Sequence, residues 1–248
     1  MKRLFVLITV LFLATQGVLF SGEKTGVVDQ RKEQRYKAIV PTLFTPDEIL
    51  MADTAAGVSY LTEEEKKVIL YINLARLDGQ RFVDDFADRY LTVTGLAPVD
   101  PYVVSLYEDL PRVRDLQMLQ PLRPLCEAAA YHAEDLGRNG ITGHTSSDGT
   151  SFGDRLRKFL PTAGLLSENC SCGTYDSIAI VIVMELLIDT GVPSFGHRKN
   201  MLNERATHIG VAIREHQSNY RYNCVQDFAG RLTVADHQSA VQSERRKP

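Results

Sequence analysis

The chain has 248 residues, 44% hydrophobic and 24% charged, which allows one large domain or two small ones around a buried core. A net charge of -3 and the absence of tryptophan leave no basic, aromatic-rich footprint, so nucleic acid is set aside as a partner.

The first 22 residues, MKRLFVLITVLFLATQGVLFSG, join a basic start to an apolar run from Leu4 to about Leu13, with small or polar residues at Ala14 to Gly17 and again at Ser21 and Gly22. That is the pattern of a signal peptide with cleavage near Gly17 or Gly22. An uncleaved anchor is the competing reading, because Val18 to Phe20 lengthen the apolar stretch towards a span. No other segment is long and uncharged enough to cross a membrane. The chain is therefore expected to be secreted or held in the cell envelope. Four cysteines, Cys126, Cys170, Cys172 and Cys224, are compatible with one or two disulfides in an exported chain. The Cys170-Ser171-Cys172 spacing is too short for a zinc knuckle or a redox pair.

Residues 23–60 read as a polar arm or linker, punctuated by Pro41, Pro46 and Gly57, with a short helix in DEILMADTAA. The domain is expected to run from 61 to 232. It opens with Thr62 and Glu65, a capping box, before a helix carrying Val68, Ile69, Ile72, Leu74 and Ala75. Asn73 and Arg76, one turn apart, suit internal hydrogen-bond and ion-pair groups, with a solvated face as the alternative for Arg76. Residues 95–124 hold five prolines and should form loop and short helix rather than sheet. RPLCEAAAYHAEDLGRNG is the next helix, with Pro124 in its first turn and Gly137 or Gly140 near its stop. On its apolar face His132 reads as a core histidine bonded to backbone. His144 follows in a Gly/Ser/Thr-rich loop, where sites are commonly carried. A short amphipathic helix is expected over 153–159.

Ile178 to Ile188 is apolar at every position except Glu185. Its β-branched run also suits a strand, but the stretch 175–190 lacks Gly and Pro and is long for one, so helix is favoured. A carboxylate among such neighbours needs a cation, a donor or a metal. Gly191, Pro193 and Gly196 then shape the connection that presents His197. THIGVAIREHQSNYRYNCVQDFAG reads as two strands, with Ile209, Val211 and Ile213 alternating on one and Tyr222, Cys224, Gln226 and Phe228 on the other. Residues 233–248 read as a flexible tail.

Two loop histidines, His144 and His197, with the acids Glu168, Asp189 and Glu185, suit zinc or another divalent ion, or a general acid-base pair. No HExxH, GxSxG or phosphate loop specifies a reaction.

The order of short motifs carries a resemblance. Asn73-x-x-Arg76, AAYHAEDL, His144, Ser167-Glu168-Asn169, GHRKNML from Gly196, His208-Ile209-Gly210-Val211 and Gln226-Asp227-Phe228 together resemble the CAP superfamily of cysteine-rich secretory, antigen 5 and pathogenesis-related 1 proteins, in its bacterial SCP-like extracellular form. The resemblance spans roughly Leu61 to Ala229. It implies an α+β fold, an α-β-α sandwich on a central, mainly antiparallel sheet. It implies as well a cleft in which His144 and His197 are the metal ligands and Glu168 and a second acid the cleft acids. Position favours Asp189 for that acid and residue type favours Glu185. Asn73, Arg76, His132 and Asn200 take structural places. Cys170 stands where the family has an apolar residue, and a Cys170 to Cys224 bridge is expected between neighbouring strands. The Pro-rich insertion around 95–124 is atypical and is expected to cover or reshape the cleft. Three functions remain open: a binding module for metal and for a lipid, glycan or protein ligand; a hydrolase in which His144, Glu168 and His197 are the candidate catalytic groups; and a structural cluster with interactions through the surface.

Overall fold

The computed structural model describes residues 30–161, 164–174 and 178–232. The leader and the tail expected from the sequence lie outside them. Helices α1 (Gln30–Lys37), α2 (Pro46–Ala52) and α3 (Glu63–Leu77) come first, then α4 (Gly79–Phe82), which runs through a π-helical turn into α5 (Asp88–Thr94). They are followed by α6 (Pro101–Asp109), β1 (Gln120–Pro121), α7 (Arg123–Asn139), α8 (Phe152–Phe159), β2 (Leu166–Gly173), α9 (Ala179–Ile188), α10 (Gly196–Met201), β3 (His208–Glu215) and β4 (Tyr222–Ala229). The sheet order is β1-β3-β4-β2, antiparallel except where β1 runs parallel to β3.

The alternation in β3 and β4 divides the core as the sequence predicts. Ile209 stands opposite Phe228, Val211 opposite Gln226 and Ile213 opposite Cys224. These side chains face α3 and α9, whose apolar residues complete the main cluster. Ala212 and Val225 point the other way and meet Ala129, Ala133 and Leu136 of α7. Helices therefore cover both faces of one sheet, the layered α-β-α arrangement. Gly210 lets α7 approach: a Cβ there would come within 2.2 Å of the Leu125 backbone.

The expected caps are present. Thr62 and Glu65 close a reciprocal capping box on α3, and Gly140 ends α7 at φ 63°. The segment read as an arm is different. Its described part packs on the domain, with Tyr36, Ile39, Phe44, Ala52 and Ala55 buried in the main cluster. These apolar residues are interrupted by Pro41, Thr42, Thr45, Pro46 and Asp47, so they form no continuous periodic face. The Pro-rich stretch is loop and short helix, as expected, but its end adds the two-residue strand β1 at the sheet edge, where Pro121 is tolerated.

Arg76 is fully buried rather than solvated. Its Nε donates to Gln117 O at 2.9 Å, Nη1 to Met201 O and Asn203 O at 2.8 and 3.0 Å, and Nη2 to Ala206 O at 3.1 Å. Asn73 donates to Ala52 O at 2.9 Å and accepts from Leu119 N at 2.8 Å. Burial lowers the Arg76 pKa to about 10, so the side chain is still charged at neutral pH and serves carbonyls instead of a counter-ion. Arg76→Met is expected to lower the unfolding free energy by about 3 kcal/mol or more, because several buried carbonyls lose their donor together. Urea unfolding with an unchanged m-value would measure it, and a loss below about 1 kcal/mol would show that these bonds contribute little.

Candidate functional site

The site is built around the edge strand β2. Glu168 and Asn169 leave opposite faces of that strand, and each organises one half of the cleft.

On the α7 side, Glu168 has only 1% of its side chain exposed. Its Oε1 lies 2.9 Å from His144 Nδ1, and its Oε2 accepts a charge-assisted bond from Arg155 of α8. Burial raises the Glu168 pKa, but the His144 bond and the Arg155 charge outweigh it and hold the carboxyl below its ordinary value. Arg155 also donates to Ser146 Oγ at 3.0 Å and His144 O at 3.2 Å, which fixes the loop that carries the histidine. Ser147 is bonded to Asp135 through both its N–H and its hydroxyl. The loop serines thus act as braces.

On the other side, Asp189 caps α9 in the left-handed region at φ 64°, uncommon for a residue with a Cβ. Its Oδ1 lies 2.6 Å from His197 Nδ1, and its Oδ2 accepts from His197 N at 3.0 Å. Asp189 is therefore the acid that meets the second histidine. Glu185, one turn earlier, is exposed and forms no recorded bond with either histidine among the described residues. Phe195, before α10, is also left-handed, at φ 51°. Its ring meets Tyr102 edge-on at 5.8 Å and lies 4.5 Å from the Arg198 guanidinium.

The two halves are joined through amides. Asn200 donates to Glu168 O at 3.2 Å and to Asn169 Oδ1 at 2.9 Å, while Asn169 donates to His197 O at 3.2 Å and to Gln226 Oε1 at 3.0 Å. His144 and His197 thus belong to one framework, although each is held by its own acid. His144 is the more accessible, with 51% of its side chain exposed against 22% for His197.

The Pro-rich insertion touches this framework from behind. Arg198 donates to Ser105 Oγ and Asp109 Oδ2, both at 2.9 Å, and to Tyr102 O at 3.3 Å, all on or beside α6. Through α6 this segment supports the His197 turn.

The expected disulfide is not formed, and all four cysteines are free thiols. Register explains why. Cys170 stands opposite Val225 and packs towards α7, whereas Cys224 stands opposite Ser171 and packs towards α3 and α9. Their side chains leave opposite faces of the sheet. His132 is buried as expected, with Nε2 3.0 Å from Gly143 O. A ring nitrogen of His132, a Glu168 oxygen and Cys170 Sγ nevertheless lie within 4.8 Å of one another, a His/Glu/Cys group of a kind able to hold a metal.

Arg155 and Asp227 were not singled out as site residues. Arg155 is disguised by its place in a short amphipathic helix. Asp227 had a signal, being the one acid in an otherwise buried strand. It stands opposite Glu168 in the register and is fully buried, and in its protonated form it has Glu168 as a hydrogen-bond partner. Burial, with the neighbouring Glu168 charge, raises its pKa well above the ordinary value. The folded state thus retains a proton that the unfolded chain releases above a pKa of about 3.9. Asp227 favours folding most below that pH, and its contribution declines as pH rises towards its folded pKa. In metal-free protein, Asp227→Asn should gain stability relative to wild type across that window, by up to about 1.4 kcal/mol per pH unit. Urea unfolding at stepped pH would read this difference, and a pH-independent gap would show that Asp227 is ionised in the fold.

The matching family model is that of the cysteine-rich secretory protein family, CAP, over residues 72–228. No curated protein matches the sequence. Among solved structures, an extracellular protein containing an SCP domain from Bacillus anthracis str. Ames is 18% identical, with a TM-score of 0.42, and the match covers 77% of this chain and 45% of that one. The chain thus spans less than half of that protein. An outer surface protein from Borrelia burgdorferi is 25% identical with a TM-score of 0.39, over 47% of this chain and 80% of its own. Among the described residues no helix is long and apolar enough to cross a membrane. With more than half of its length matched by the family model, over a stretch that contains both histidine-acid pairs, the chain belongs to the cysteine-rich secretory protein (CAP) family.

Proposed function

We propose that the protein is an extracytoplasmic binding module, secreted or held in the cell envelope, whose cleft takes up a divalent cation, zinc foremost, through His144 and His197. The cleft then serves as a seat for a lipid, glycan or protein ligand. The observation that carries this reading is the pair of histidine-acid contacts. Each histidine has its Nδ1 against a buried carboxylate, Glu168 or Asp189, and among the described residues neither Nε2 is hydrogen-bonded. A carboxylate behind the ring fixes its tautomer and orientation and raises its basicity, the support that metal-ligating histidines normally have. Glu168 and Asp189 then orient the ligands, and the bound ion would supply a positive charge for a ligand's oxygen atoms. Export rests on the leader-like first 22 residues.

Zinc titration calorimetry tests this on the purified protein. His144→Ala/His197→Ala, with an unchanged circular dichroism spectrum, is expected to lose one equivalent of zinc per chain. Wild-type affinity should fall on acidification, because protons compete with the ion for the ring nitrogens. An unchanged stoichiometry in the folded double variant would refute the cleft site.

A further inference from the structure

Behind His144, between α7 and the sheet, the chain encloses a polar atom that nothing among the described residues satisfies. His132 is fully buried, and its Nε2 lies 3.0 Å from a carbonyl, Gly143 O. A carbonyl oxygen only accepts, so Nε2 carries the proton and Nδ1 the lone pair. That Nδ1 is buried without a partner. Asp227, also buried across the strand from Glu168, places its proton on that carboxylate. A buried polar atom left unmatched is uncommon and costly, and His132 lies on the side of the sheet on which Glu168 and Cys170 stand.

We propose that Cys170 Sγ, His132 Nδ1 and one oxygen of Glu168 form a second metal site, adjoining the His144/His197 cleft and sharing Glu168 with it, selective for zinc or a comparable thiophilic divalent ion. A ring nitrogen of His132, an oxygen of Glu168 and Cys170 Sγ already lie within 4.8 Å of one another, and Nδ1 is the nitrogen left for an ion because Nε2 is committed to Gly143 O. Ligand atoms around a four-coordinate zinc stand about 3.3–3.7 Å apart, so small side-chain rotations close the group. The donor chemistry is consistent. A thiolate with an imidazole favours zinc over magnesium or calcium, which prefer oxygen. The His132 Nε2–H bond to a backbone carbonyl is the usual outer support of a metal-bound imidazole. Glu168 retains one position for an ion, since a carboxylate offers about four lone-pair sites and His144, Arg155 and the protonated Asp227 account for three of them. On binding, the thiol transfers its proton to solvent, and thiolate and carboxylate together balance the charge of the ion. Three protein ligands leave one position open. Cys170, only partly buried, provides the entry path, and His144 Nδ1 borders it at 3.6 Å from the sulfur.

Cobalt(II) is the probe, because a cobalt-thiolate bond produces near-ultraviolet charge-transfer absorption that a histidine-carboxylate site lacks. The purified protein, with its thiols reduced, is titrated with cobalt alone. The expected result is a thiolate band that saturates at one equivalent, disappears in Cys170→Ser and persists in Cys172→Ser. His132→Gln should weaken cobalt binding about tenfold or more. His197→Ala, which disables the cleft, should leave the band intact, so failure of the cleft reading and failure of this one are separately visible. No band in reduced wild-type protein, or a band that survives Cys170→Ser, overturns the proposal.

Discussion

The site depends on the two-residue period of one strand. β2 lies at the sheet edge with helices on both sides, so consecutive residues report to different layers. Glu168 turns towards α7 and α8, where it meets His144 and Arg155, and Asn169 turns towards α10, where it meets His197 and Asn200. A shift of one residue in the pairing of β2 with β4 would send both to the wrong layer. The register Glu168 opposite Asp227 and Asn169 opposite Gln226 is therefore as much a part of the site as the histidines.

The buried polar groups divide by task. Arg76 and Asn73 serve backbone carbonyls and amides and hold loops against α3, where no regular partner exists for those groups. Arg155 and Arg198 instead connect a loop or turn bearing a histidine to a neighbouring helix. Both guanidiniums are nearly inaccessible, at 0% and 2% exposure, so each lends a planar fork of donors rather than a surface charge. The acids follow the same division: the ionised Glu168 accepts from charged or polar donors, while the neighbouring Asp227 keeps its proton because two adjacent buried charges would repel.

Much of the fold was legible because local signals agreed. Thr62 and Glu65 marked the start of α3, Pro124 and Gly140 bracketed α7, and β3 and β4 kept strict alternation. β2 gave no such signal, since SENCSCG carries polar or small residues on both faces, and the direction of Cys170 could not be read from it. Hence the expected bridge to Cys224 failed. The histidines were visible from the loops around them, and Asp189 from its position at the end of the helix that follows Glu168-Asn169. Arg155, by contrast, meets Glu168 only through tertiary packing of α8 on β2, which no spacing in the chain encodes.

Arg198 also bears on how the chain can change over time. It binds carbonyls of α9, at Leu187 and Ile188, and at the same time side chains of the insertion at Ser105 and Asp109. Once such a guanidinium is enclosed, deleting the insertion would strand it, and replacing it first would loosen the turn that aims His197. Residues 95–124 and the His197 turn are thereby coupled: changing either alone leaves a buried guanidinium or its partners unmatched.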